Sequence, residues 1–115
     1  MKYMLLIYGD EKAMEARNPA DSGSISPAFQ AYTEAMRDAG IVLAGDRLKP
    51  TTAATTVRGG EGKVRVLDGP YAEAREQLGG YYIIDVPDLD TALEWASRCP
   101  AVHGGAIELR PLAHQ

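Results

Sequence analysis

Two runs of this 115-residue chain, "KYMLLIY" at 2–8 and "GYYIIDV" at 80–86, are apolar at successive positions rather than at alternate ones. Neighbouring side chains of a strand point to opposite faces, so a strand written this way is apolar on both sides and must be covered on both. Only two segments carry helical spacing. One follows Ser26-Pro27, a capping hydroxyl and a first-turn proline, with Phe29, Tyr32, Met36 and Ala39 in register and Gly40 as the stop. The other follows Asp88, with Leu89, Ala92, Leu93 and Ala96, and is closed by Pro100. Two helices cover one face of a sheet. The second face needs a further partner, and the simplest is a copy of the same chain related by a two-fold axis.

The remaining strands are "IVLAG" at 41–45, a hairpin of "TTAATTV" at 51–57 and "KVRVL" at 63–67 around "RGGEG", and "AIELRPL" at 106–112. The order is β-α-β, hairpin, β-α-β, which is the ferredoxin-like split βαβ pattern of an α+β protein with an extra hairpin. At this length, residues 1–115 form a single domain. The acidic, breaker-rich stretch 9–25 is long for a connection; "EKAMEAR" within it has the composition for one or two helical turns, and a ligand cleft is expected between this loop and the sheet.

Sixteen acidic against twelve basic residues, with no basic run, exclude nucleic acid as the main ligand. Six uncharged residues between Lys2 and Gly9 are too few for a signal peptide or a membrane span. A single cysteine, Cys99, forms no intrachain disulfide and fits a reducing, cytoplasmic location. With two histidines it makes no convincing zinc set, so no metal or cofactor is expected, and Cys99 is read as a buried apolar side chain. "RGGEGKV" departs from a phosphate loop at Val57 and Val64, and "HGG" at 103–105 has no nucleophile elbow to serve.

The stretch "DGPYAEAREQLGGYYIIDVPDLDTALEWASRCP" at 68–100, with "KYMLLIYGDE" at 2–11, "AGIVLAGDRL" at 39–48 and "HGGAIELRPL" at 103–112, resembles the YCII-related domain family, in its DGPF branch. Tyr71 stands where the branch name has Phe, and Arg75 where many members have Lys. The resemblance implies a dimeric α+β barrel made of two ferredoxin-like sheets face to face. It implies little about activity. The branch is mostly uncharacterised and often encoded beside extracytoplasmic-function sigma factors. A related YCII-type branch includes a dehydrochlorinase of a chlorinated aromatic, with a histidine early in the first helix. Here that place reads "SPAFQAY", with Phe29 and Gln30, so that reaction is not carried over.

Asp68-Gly69-Pro70 reads first as a turn, Asp accepting local N–H bonds and Gly supplying an unusual φ. A partly buried carboxylate at that rigid strand end would also serve as a general base. His103, before Gly104-Gly105, is either a loop imidazole or the acid/base partner of Asp68. Tyr8 and Arg47, at neighbouring strand ends, and Tyr71 would orient the ligand, the arginine clamping a carboxylate or phenolate. The expected function is therefore small-molecule binding or proton-transfer chemistry, of isomerase or lyase type, on a small organic acid or phenol in a cleft at the barrel rim. The alternative is a non-catalytic interaction or regulatory module, linked to a sigma factor, that uses the charged 71–77 stretch as its surface.

Overall fold

The structure is a computed structural model that describes residues 1–13 and 26–115. Among the described residues, apart from a helical start at 11–13, six strands and two α-helices run in the order β1 (Lys2–Gly9), α1 (Pro27–Asp38), β2 (Val42–Arg47), β3 (Thr55–Gly60), β4 (Lys63–Asp68), β5 (Gln77–Asp85), α2 (Leu89–Ser97) and β6 (Ala106–Pro111). Short 3-10 turns lie at Thr51–Ala53 and Pro100–Val102. β2, β5, β1 and β6 form one sheet in that order, while β3 and β4 pair only with each other. β5 is antiparallel to both β1 and β2, and β6 to β1. This is the split βαβ order, with the β3–β4 hairpin inserted between the two halves.

Both helices begin where capping chemistry places them. Ser26 Oγ accepts from Phe29 N at 3.3 Å, and Asp88 Oδ1 accepts from Thr91 N at 2.8 Å and Thr91 Oγ1 at 2.7 Å. These bonds favour the charged carboxylate and hold the Asp88 pKa below its ordinary value. α1 buries Tyr32 and Met36, and α2 buries Ala92 and Ala96. The Tyr32 hydroxyl donates to the Trp95 carbonyl at 2.7 Å, which joins the two helices by a side chain that is itself in the core.

Cross-strand pairs share a face, so the registers separate the two sides of the sheet. Tyr3 pairs with Ile84 and Leu5 with Tyr82 and Leu109, and Ile7 pairs with Ile107. This is the helix side: Tyr3, Leu5 and Ile84 are buried with Tyr32, Met36, Ala92 and Ala96 in one cluster. On the opposite side Met4 pairs with Ile83 and Leu6 with Tyr81. No described helix packs there, and these four side chains stay only partly buried. The double-sided apolarity of β1 and β5 thus gives one filled core and one apolar face that no described element covers. Cys99 is buried in the cluster as expected, and burial raises its thiol pKa.

The hairpin differs in detail from its sequence reading. Residues 51–53 form a 3-10 turn, and the first hairpin strand starts at Thr55. The reason lies in Glu11, whose carboxylate accepts from Thr51 N at 2.8 Å and from Thr51 Oγ1 at 2.7 Å, fastening that threonine to the end of β1. The two-residue loop Glu61-Gly62 has φ of +52° and +75°, both left-handed, as a type I′ connection requires. Residues 11–13 are helical; the rest of "EKAMEAR" and most of the loop expected to roof a cleft lie outside the described residues.

Candidate functional site

Chain direction gathers the candidate residues at one end of the sheet. β1 and β2 finish there, β5 and β6 start there, and the hairpin leaves after β2 and returns before β5. Tyr8 pairs with Leu78 on one side and Ala106 on the other, and Arg47 pairs with Gly80. Leu48 N donates to the Gly79 carbonyl at 2.9 Å and carries the chain out of the sheet at this level. The first turns of α1 and the last turn of α2 lie at the same end, because each helix runs antiparallel to the strand that precedes it.

Tyr8 is half-buried on the face away from the helices, and its hydroxyl donates to Glu108 Oε1 at 3.2 Å. Partial burial, then the adjacent Glu108 carboxylate, raise the Tyr8 pKa, with Arg110 opposing them. Behind it the chain must pass very close. A Cβ at Gly105 would strike the carbonyl oxygens of Tyr8 and Ala101, so only glycine lets the His103-Gly104-Gly105 loop return into β6. Arg47 is exposed at the end of β2, its backbone N donating to Asp46 Oδ1 at 3.1 Å.

His103 follows the 3-10 turn Pro100–Val102 and is exposed on the helix side of this end. It borders an open depression of about 410 Å³ with Arg98, Pro100, Tyr32 and the small side chains Ala28, Ala31 and Ala35. The Arg98 guanidinium lies 4.2 Å from the Trp95 ring centroid, a stacking that fixes the cation at the rim of the depression. A group able to move a proton and a held cation therefore border one recess.

Asp68 ends β4 and is exposed, which corrects the expectation of a partly buried carboxylate. It sits on a two-stranded sheet, and nothing among the described residues takes it out of water. The expected local bonds to its carboxylate are also absent among the described residues; the corner is held by Gly69 instead. Gly69 N donates to the Ala54 carbonyl at 2.8 Å, and the Gly69 carbonyl accepts from Thr56 Oγ1 at 2.8 Å. Tyr71 is exposed, with the Arg58 guanidinium 5.0 Å from its ring centroid. Among the described residues no hydrogen bond or ion pair joins Asp68 to His103, and Asp68 does not border the recess that His103 borders. Nor does any group of three or more His, Cys, Asp and Glu lie together among them.

Sequence reasoning missed Arg98, Glu108 and Glu11. Arg98 had a legible signal, a cation at the end of α2 five places before the histidine already singled out. Glu108 had only its alternation with the apolar Ile107 and Leu109, which says "outward" and nothing about Tyr8.

An antiparallel sheet backed by two helices on one side, with polar and aromatic groups gathered at one strand end, defines an α+β domain of the split βαβ class. The chain belongs to the YCII-related domain family, which matches residues 1–114. It is 38% identical over 115 residues to an uncharacterized protein of Rhizobium meliloti (strain 1021), covering 98% of this chain and 93% of that one. Its fold resembles 5-chloro-2-hydroxyhydroquinone dehydrochlorinase (TftG) from Burkholderia phenoliruptrix AC1100, solved in complex with 2,5-dihydroxybenzoquinone. That similarity has a TM-score of 0.54 at 13% identity and covers 100% of this chain and 96% of that one. Among the described residues no helix is long and apolar enough to cross a membrane.

Proposed function

We propose that the chain, as a homodimeric α+β barrel of the DGPF branch, binds a small organic acid or phenol at the strand end described above and moves a proton on it. The observation that carries this reading is the recess shared by His103 and Arg98. The cation would fix the carboxylate or phenolate, and the imidazole would exchange a proton with a neighbouring carbon or oxygen. Arg47 and Tyr71 would orient the rest of the ligand, while Tyr8, on the far face of the sheet, and Asp68, outside the recess in a single chain, would reach the ligand and His103 only across the homodimer. Isomerisation or elimination fits such a set, because both need proton transfer and binding but no electron carrier. The related fold of TftG, a dehydrochlorinase that holds a small oxygenated ring, is in keeping with a ligand of this size. The depression also has room for one ring and its substituents.

A thermal-shift screen against small carboxylic acids and phenols tests the reading. A ligand at about 100 times its Kd adds ~2.7 kcal/mol to the folded state and raises Tm by several degrees. The rise is expected in the wild type and should be lost in Arg98→Ala and reduced in His103→Ala. A flat response to the whole panel, or a shift that both variants retain, overturns it.

A further inference from the structure

A second hollow opens on the helix side of the sheet, between α1 and the edge strand β2. It has a volume of about 340 Å³ and shares no lining residue with the recess of His103. Thr33 and Arg37, one turn apart on α1, line one side, Val42 and Leu43 of β2 line the other, and Tyr82 reaches it from β5. Leu43 is skipped where the β2–β5 register shifts between Val42 and Ala44, and such a bulge re-aims its side chain, here 55% exposed.

The local sequence shapes the floor. Gly45 pairs with Tyr82, and a Cβ there would strike the Tyr82 ring, so only glycine lets that ring lie against β2. So placed, the Tyr82 hydroxyl meets Thr33 Oγ1 at 2.7 Å. Two hydroxyls carry two protons, and their mutual bond uses one. The other proton has no acceptor among the described residues. Burial raises the Tyr82 pKa, opposed by the Thr33 bond and the Arg37 charge, so the phenol keeps its proton at neutral pH.

Arg37 stands at the mouth. Its side chain is exposed, and Glu34, three residues back on the same helix, forms no ion pair with it. Among the described residues no hydrogen bond or ion pair holds the guanidinium. A forked cation and a spare hydroxyl proton therefore converge on one space, and no acidic side chain lines it. Donors of this kind call for oxygens that only accept, and a single cation matches a single negative charge; a carboxylate meets both demands. Val42 and Leu43 add an apolar surface beside it.

We propose that this hollow is a second ligand site, which takes a small monocarboxylate with a short apolar tail. Arg37 holds the carboxylate, the Thr33–Tyr82 pair donates to it, and Val42 and Leu43 receive the tail. The site goes beyond the reading built on His103 and Arg98 and does not depend on it. Tyr32, which borders the recess, meets the Tyr82 ring edge-on with centroids 5.8 Å apart, so the two sites touch through one aromatic contact.

The test is a titration of the full chain with sodium butyrate, followed by amide NMR, against sodium chloride at equal ionic strength. Butyrate should move the amides of Thr33, Arg37, Leu43 and Gly45 along saturable curves that chloride does not reproduce. Arg37→Gln should weaken this binding by about tenfold or more, because it removes the charge-assisted pair. Thr33→Val, which keeps the shape, should weaken it by a smaller factor. Circular dichroism checks that both variants are folded, and Arg98→Ala should leave the curves unchanged. Shifts confined to the amides around Arg98 and His103 overturn the second site and leave the first standing. The absence of saturable shifts in the hollow, or shifts that both Arg37→Gln and Thr33→Val retain at full strength, overturns it as well.

Discussion

Gly69 has φ of +103°, yet a Cβ placed there would meet no atom within 4 Å. The requirement for glycine at this corner is therefore one of backbone conformation and not of space. Gly69→Val should cost on the order of 1–2 kcal/mol or more, since L-residues are strained in that region. Asp68→Asn should change stability by less than about 0.5 kcal/mol, because that carboxylate is exposed and makes no bond that holds the turn. Denaturant midpoints of the two variants check the order; Asp68→Asn as the worse of the two contradicts the account. Asp88 behaves differently, because its charge is used. Its folded pKa lies below the unfolded value of about 3.9, so its cap stabilises fully above that pH and fades as pH falls through the lower, folded value. Melting curves of wild type and Asp88→Ala should differ at neutral pH and converge in acid below both values. A gap that persists unchanged there would mean that the charge is not what caps α2.

At the scale of elements, local chemistry was easy to read and long-range anchoring was not. Ser26 before Pro27, and Asp88 before Leu89, located both helix starts because capping involves only the next three residues. Unbroken apolar runs located β1 and β5, since the pattern survives whatever pairs with them. Residues 51–53 were read as strand because threonine favours strands, whereas Glu11, 40 positions away, holds Thr51 in a 3-10 turn. The site follows the same division. Tyr8, Arg47 and His103 were legible as chain ends of one sheet, but the exposure of Asp68 was not, because it depends on the hairpin leaving the main sheet. Within the helix layer, Met36 is fully buried between α1 and the sheet, where truncation leaves a cavity. Met36→Ala should lose roughly 2–5 kcal/mol. Its exposed neighbour offers the control: Glu34→Ala should stay within about 0.5 kcal/mol. Urea unfolding of both variants reads the contrast.

The described residues form a slab, 45 × 39 × 19 Å in its principal extents, with α1 and α2 on one side of the sheet. Among the described residues nothing covers the second face of β1 and β5. Met4, Leu6, Tyr81 and Ile83 form an apolar band on the bare side, and Glu108 and Arg110 flank it on β6. Acid and base on one edge strand suit a two-fold contact, in which the same surface must complement itself. Light scattering at micromolar concentration should therefore return about twice the 12.4 kDa of one chain. Leu6→Glu sets the sharper test. Leu6 lies outside the helix-side core, so a glutamate there is solvated in a separated chain and costs that chain little. In a face-to-face dimer the same carboxylate would be buried twice, once from each copy, without a partner to neutralise it. The variant is expected to elute as a folded monomer with an unchanged circular dichroism spectrum. If it remains dimeric, the sheet face is not the interface.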